Sequence, residues 1–456
     1  MTNRANHAVV LGAGVGGLTH AIPLAARFDR VTIVDRDVLP DRPEPRRGVP
    51  QDSHLHLLIP RGHALLETLL PGVLTDLRAR GGEMIDRSDW RVYIGGGRLE
   101  LTGIDEEITG ATRPLLESVV RDRVLALDGV ELMDGWAART LTATEDHSRV
   151  TGVRLRSEAD AGDERTLVAD LVVDTTGRAS PSPRWLADLG YPVPEEQRLK
   201  VDVHYATRLF RREPGDLDGY RYVFVEVPPG GRRGGVALAV EGERWLVTLI
   251  GMAGERPPTD LDGFVDYAAS LWTGDIRDIV AGATPLGDGI PRAFPAFLRR
   301  RYDRLRRLPE RYVVSGDAVC SFNPRFGQGM TVAMAEAIEL GSVLDRHGLD
   351  RTGPRLLSAA QSVVEDAWTL ATGSDLTHPD VEGPRPLSWR LTTAYLERLL
   401  SVARHDPVVA AAFLRVIGML ARPQTLMRPR IVRRVLGRIG RAGRAVDREK
   451  GATSRT

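Results

Sequence analysis

Cysteine is the scarcest residue in this 456-residue chain: Cys320 is the only one. A lone cysteine excludes an intramolecular disulfide and fits a reducing compartment, so a cytoplasmic location is expected. Lysine is nearly as rare, and the basic residues are almost all arginine, a bias expected of GC-rich coding. No charge sign dominates, since the formal net charge is only +1, which argues against a nucleic-acid binder. No uninterrupted apolar run approaches the roughly 20 residues that a membrane span needs. The N-terminus enters an apolar strand within about ten residues, without the charged and apolar regions of a signal peptide.

What remains is ordinary globular composition, 42% hydrophobic and 27% charged, enough for two or three domains. Two glycine-bearing segments stand out. The first is Val9-Val10-Leu11-Gly12-Ala13-Gly14-Val15-Gly16-Gly17. His7 to Gly12 reads as a short buried parallel strand and Val15 to about Ala26 as a helix. Gly12 permits the tight turn, Gly14 the approach of a pyrophosphate, and Gly17 close packing of helix on strand. The helix N-terminus points its amides and positive dipole end at the phosphates. A second strand, Arg30 to Val34, ends in Asp35, an acid suited to a ribose hydroxyl pair.

The second segment is Val313-Val314-Ser315-Gly316-Asp317-Ala318, running into Asn323-Pro324-Arg325-Phe326-Gly327-Gln328-Gly329. The Asp317 carboxylate can accept from a ribityl hydroxyl. A helix starting near Gly327 aims its N-terminal amides at the N1–C2=O edge of a flavin. A dinucleotide held at both ends, with a further strand at Leu167 to Asp174, favours FAD over NAD. Other readable strands are Val201 to Phe210, Tyr222 to Val227, Val236 to Val240 and Trp245 to Ile250, the last two joined by a four-residue turn, Glu241 to Arg244. The stretch Pro228 to Gly235 reads as a flexible loop, and the chain beyond about 351 as helical.

On these residues the chain resembles the flavin monooxygenases of the aromatic-hydroxylase superfamily. The resemblance implies an α/β fold, with a Rossmann-like FAD-binding domain of the GR2 type from 1–75, 112–180 and 300–346. It further implies a β-sheet substrate domain from 76–111 and 181–299, and a C-terminal helical region over 347–456. It implies non-covalent FAD held by Gly12, Gly14, Val15, Gly16, Gly17, Asp35, Arg36, Arg46, Arg113, Asp317, Pro324, Gly327, Gln328, Gly329 and Met330. Three phrases are more specific: Arg46-Arg47-Gly48-Val49-Pro50-Gln51-Asp52-Ser53-His54-Leu55-His56, Asp174-Thr175-Thr176-Gly177-Arg178 and Tyr205-Ala206-Thr207-Arg208-Leu209-Phe210. With Asn323 to Met330, they are similar to the flavin-dependent epoxidases of polyether ionophore polyketide biosynthesis. That resemblance implies a C4a-hydroperoxyflavin placing one oxygen atom of O2 on an alkene of a lipophilic natural-product intermediate.

The cofactor carries the hard step in such a reaction, so no obligatory catalytic side chain is assigned. Arg46 and His54 are candidates for shaping the distal side of the flavin. Many relatives have Asp-Gly where this chain has Thr176-Gly177, so NADPH or NADH is expected to deliver electrons through a separate flavin reductase. The Trp-x-Trp-x-x-Pro signature of flavin halogenases is lacking. A reductase of prenyl or polyene chains and a non-catalytic flavin-binding protein are the alternatives.

His54, His56 and His63 lack carboxylates at ligand spacing, and no metal is expected. Cys320 reads as a small buried residue. At the C-terminus Arg428, Arg430, Arg433, Arg434, Arg438, Arg441 and Arg444 surround Ile431, Val435 and Ile439 at helical spacing. A helix packed on its own domain is the preferred reading, and contact with an anionic membrane surface is the alternative.

Overall fold

The computed structural model describes residues 5–437 apart from Pro50, residues 102–105, Pro229 and Pro386. The apolar run Ala5–Leu11 is buried from His7 onward and forms the middle of a five-stranded parallel sheet. Across the sheet the order is Tyr312–Val314, Leu171–Asp174, Ala5–Leu11, Phe28–Val34 and Val130–Met133. Near-continuous burial is what a parallel sheet covered on both faces demands. The helices Val15–Ala25, Arg113–Leu125 and Gln328–His347 share an apolar core with these strands.

The single strand expected over Leu167 to Asp174 is two strands in different sheets. Glu164–Val168 pairs with Val150–Ser157, and beyond that lies Trp136–Ala143, while Leu171–Asp174 joins the parallel sheet. The break is fixed at Asp170, whose carboxylate accepts from the amides of Asn6 (2.9 Å) and His7 (3.2 Å). That local carboxylate competes with the ladder and turns the chain out of one sheet into the next.

An eight-stranded sheet is built around the long strand Glu196–Arg211, flanked by Ile290–Arg300 and Arg244–Gly251. It continues through Arg233–Val240, Tyr222–Val225 and Trp90–Ile94. The expected turn at Glu241 is shorter than four residues. Val240 pairs with Arg244, leaving a three-residue loop in which Glu243 takes φ 52° and Arg244 bonds back to Glu241. Nor are Arg233 to Gly235 loop: they form the start of a strand between Tyr222–Val225 and Arg244–Gly251. Neighbouring backbone pairs them on both sides, which outweighs glycine's reluctance to stay extended. Pro229 in that stretch lies outside the described residues.

Among the described residues four α-helices follow the Gln328 helix: Thr352–Asp375, Leu387–Ala403, Pro407–Ile417 and Pro429–Gly437. In the last, Ile431 and Val435 are buried against the preceding helices and Arg434 reaches Asp406 at 2.8 Å. Its described part therefore packs on its own domain. Arg438, Ile439, Arg441 and Arg444 lie outside the described residues. Among the described residues no helix is long and apolar enough to cross a membrane.

Candidate functional site: a two-ended cavity beneath the sheet

The strand Ala5–Leu11 delivers its C-terminal end into a turn that only glycine fits. A Cβ on Gly17 would lie 1.7 Å from the Gly12 carbonyl oxygen. Gly12 itself sits at φ 100°. The Val15 helix thus starts pressed against the strand end, with Gly14 as its N-cap and no side chain capping the first-turn amides. Orphan amides of this kind are an anion site.

The side chains around the turn form one ionic knot. Asp35 accepts from the amide of Ala13 (2.6 Å) and from Arg46 (3.2 Å). Arg46 also meets Glu117 at 2.5 Å and donates to the Ala13 carbonyl (3.1 Å). Arg113, the first residue of its helix, holds the other Glu117 oxygen at 3.2 Å. Both guanidinium groups lie beside Gly14, about 4 Å from where its Cβ would stand. Arg36 is exposed and also lines the cavity. Glu117, four residues after Arg113, was not singled out from sequence, although i,i+4 spacing offers that signal.

The Gly316 segment closes the other end. After the strand Tyr312–Val314 the chain makes a tight turn through Gly316–Ala318 and presents Asp317 to the same cavity. Burial pushes the Asp317 carboxyl up to about 6, against the pull of Arg113 and Arg178. Pro324 opens a short 3-10 turn, and Gly327, at φ 63°, caps the Gln328 helix. Gly329 lies beside Asp317, and Met330 lines the wall. Both polar atoms of the Gln328 side chain are buried without a partner. Orphaned polar atoms, uncapped amides and a glycine cradle fit a flavin dinucleotide.

Behind this wall runs a hydrogen-bond chain joining the two glycine segments. His20 Nδ1 donates to the Gly16 carbonyl (2.7 Å), and its Nε2 lies 2.8 Å from Ser315 Oγ. Ser315 Oγ is 2.7 Å from Glu336, whose same oxygen accepts from the amide of Gly316 at 2.6 Å. Burial lowers His20 to about 4, so the ring is neutral and its Nε2 must accept from the serine. Ser315 then has no proton left for Glu336, and the bond closes only if Glu336 donates as the neutral acid. Burial raising Glu336 to about 7 agrees with that count. Glu336 is seven residues beyond Gly329 and so on the same helix face, a signal that was available.

The cavity, about 1530 Å³, continues beneath one face of the eight-stranded sheet. Phe224, Val236, Thr248, Ile250, Tyr205, Arg292 and Phe294 line it from above, while Trp389, Leu396 and Phe413 close it from the C-terminal helices. His54 sits under the sheet, with Nδ1 2.8 Å from Thr207 Oγ1, which in turn is 2.7 Å from Thr248 Oγ1. Burial, then Arg292, lowers His54 to about 4. His56 donates to the His54 carbonyl (2.9 Å) and His63 bonds Thr109. Arg46 and His54 are therefore apart: one belongs to the glycine turn, the other to the roof of the chamber. Cys320 is buried and its thiol is pushed well up by burial. Among the described residues no group of three or more His, Cys, Asp or Glu could hold a metal.

The loop before Gly327 is anchored from the C-terminal region. Asp375 ends the Thr352 helix and is fully buried. It holds Arg325 at 2.5 Å and accepts from Asn323 at 2.8 Å. Tyr205 donates to the Asn323 amide oxygen. No sequence signal pointed to Asp375, because its partner lies 50 residues away.

No protein-family model matches the chain. Protein Rv3254 of Mycobacterium tuberculosis is 35% identical over 433 residues, 92% of this chain and 90% of that protein. The chain belongs to the family of that protein. It is also 26% identical to kynurenine 3-monooxygenase of Salinispora tropica, over 88% of this chain and 86% of the relative. The crystal structure of p-nitrophenol 4-monooxygenase from Pseudomonas putida shares the fold, with TM-score 0.63, 17% identity, and coverage of 91% of this chain and 98% of that one. This family member is an enzyme of the FAD-dependent monooxygenase class, with the GR2-type fold. The polyether-epoxidase likeness is a narrower matter.

Proposed function

We propose that this FAD-dependent monooxygenase transfers one oxygen atom from O2 to an alkene of a lipophilic natural-product intermediate, giving an epoxide. The observation that carries the proposal is the single cavity running from the glycine turn and Asp317 into a chamber walled by Phe224, Ile250, Phe294, Leu396 and Phe413. FAD, when bound, supplies the redox chemistry that activates O2. The protein's part is to bind and to exclude water. In this reading the first-turn amides of the Val15 helix with Arg113 and Arg46 hold the pyrophosphate, and Asp35 holds a ribose. Asp317 takes a ribityl hydroxyl, and the amides at Gln328, Gly329 and Met330 meet the flavin ring edge. The apolar roof keeps bulk water from the reacting atoms.

Thr176 supports an external source of electrons. Its hydroxyl and amide are both spent on Asp174, at 2.6 and 2.8 Å. The residue that stands where many relatives carry an aspartate thus has no carboxylate and has its hydroxyl engaged by Asp174, and a separate NADPH- or NADH-dependent reductase is proposed as donor.

Turnover under 18O2 with a lipophilic polyene tests the reading. The expected product carries one labelled oxygen, as an epoxide or the cyclic ether or diol it opens to. Incubation in 18O-water labels only through later ring opening. A product that gains two hydrogens and no oxygen establishes a reductase and ends the proposal.

A further inference from the structure

Ten other arginines line the cavity together with Arg292. Arg46, Arg87, Arg113, Arg198, Arg300 and Arg325 each meet a carboxylate. Arg178 donates to Ser321 and lies over Phe294. Arg36, Arg139 and Arg184 are exposed. Arg292 alone is half-buried and has neither a carboxylate within 4 Å nor a hydrogen-bond acceptor among the described residues.

Its position is specific. Arg292 stands on the strand Ile290–Arg300 directly opposite Tyr205, two residues from Phe294. Both neighbours line the chamber, as do Ile250 and Thr248 on the next strand. A guanidinium among apolar and aromatic neighbours is partly desolvated without compensation, an arrangement that an anion relieves.

A second orphan lies beside it. His54 is 7% exposed, and its Nε2 is buried with no partner. The ring is not free to turn, because Nδ1 is held by Thr207, and Thr207 by Thr248. Arg292 is the charged group that bears on the His54 ring, whereas His56 feels Arg113 more strongly than Arg292. Arg292 and His54 therefore belong to the chamber, beyond the nucleotide end where Arg46 and Arg113 stand.

We infer that Arg292 and His54 together form an anchor for a carboxylate, so that the substrate is a lipophilic acid rather than a neutral hydrocarbon or ester. Arg292 offers two parallel N–H donors to the carboxylate, and the fixed His54 ring, with Nδ1 accepting from the Thr207 hydroxyl, donates its Nε2–H to the same group. The remaining apolar wall takes the chain. This inference rests on the monooxygenase reading for the location of the chamber, but its test reads binding rather than turnover.

The probes are linoleic acid and its methyl ester, titrated into FAD-loaded protein and read by equilibrium dialysis. The wild type is expected to bind the acid at least about tenfold more tightly than the ester. Arg292→Leu should abolish that preference by weakening acid binding, leave ester binding unchanged, and retain full FAD. Arg292→Lys should restore part of the preference, and His54→Phe should reduce it. Equal binding of acid and ester by the wild type overturns the inference, as does failure of both to bind. Loss of FAD from Arg292→Leu with the preference intact assigns the arginine to the cofactor and overturns it too. If the acid preference holds and depends on Arg292 but no oxygen is transferred to any polyene, the anchor stands and the monooxygenase reading fails.

Discussion

Asp317, half-buried, and Glu336, buried, are carboxyls at the Gly316 end of the cavity, yet they do opposite work. Asp317 faces the cavity and has Arg113 and Arg178 to favour its charge. Replacing it by alanine removes a charge-assisted hydrogen bond to the bound dinucleotide, about 1.5–3 kcal/mol. FAD affinity should fall roughly ten- to a hundredfold, by 1.4 kcal/mol per factor of ten, with little change in the thermal midpoint of the apoprotein. Unchanged occupancy at limiting FAD would remove the role proposed for it. Glu336 faces away, and its folded pKa of about 7 lies above the ordinary 4.5. Folding therefore favours its proton, and wild-type stability is lost through this group as pH rises from about 4.5 to 7. Glu336→Gln cannot ionise, so its thermal midpoint minus that of wild type should rise between pH 5 and 8. A pH-independent difference would show that the carboxyl is ionised throughout.

At the scale of elements, the loop Asn323 to Phe326 is held by a helix end that comes from another part of the chain. Asp375 has no exposure, and its partner Arg325 almost none. Breaking a buried pair by removing one partner costs about 3–5 kcal/mol, because a charge is left uncompensated. Asp375→Ala should therefore lower the thermal midpoint markedly. It should also weaken FAD binding, since Asn323 and Arg325 set the entry to Gly327. Asp375→Asn keeps an acceptor and should do less of both. If the alanine variant binds FAD like wild type at a temperature where it remains folded, the loop does not depend on this anchor. The strands show the same dependence on distant partners. The hairpin of Val236 to Val240 with Trp245 to Ile250 was readable from strand-forming residues on either side of a turn, whereas the break at Asp170 was not, because it depends on the amides of Asn6 and His7. Likewise Arg233 to Gly235 looked like loop by composition, and became strand because two neighbours supplied ladders.

Across the whole molecule, desolvation shifts histidines and carboxyls in opposite senses in their response to acid. His20, His54, His63 and His378 are lowered to about 4 and His56 to about 3, in each case by burial first. Their folded values lie below the ordinary 6.5, so the stability they confer is complete above pH 6.5 and is lost as pH falls toward 4. Glu336, Asp317 and Asp52 act in the opposite sense, with carboxyls raised by burial to about 7, 6 and 6. Burial also lowers His7 and raises Glu106, Glu226 and Asp375, so the two senses are matched in number and the test belongs to a single group: the thermal midpoint of His20→Gln minus that of wild type should rise as pH falls from 7 to 5. A difference that does not change with pH would show that burial does not hold the His20 ring neutral.

The sequence by itself determined the parts that depend on neighbours along the chain. The turn at Gly12 to Gly17 is local sterics, since no side chain fits at Gly17. The acid at the end of the second strand and the Gly327 helix start are likewise short-range patterns. The helical character beyond residue 351 follows from periodicity. Only the tertiary structure decided which distant side chains meet. It placed Arg46 with Asp35 and Glu117 at the glycine turn, and His54 with Thr207 under the sheet. It tied His20 to Glu336 through Ser315, anchored the Asn323 to Phe326 loop with Asp375, and left Arg292 in an apolar roof without a partner among the described residues. The reason is physical: backbone turns and helix caps are fixed by a few adjacent residues. Burial, which sets charge pairing and proton affinity, is the product of every layer packed around a group.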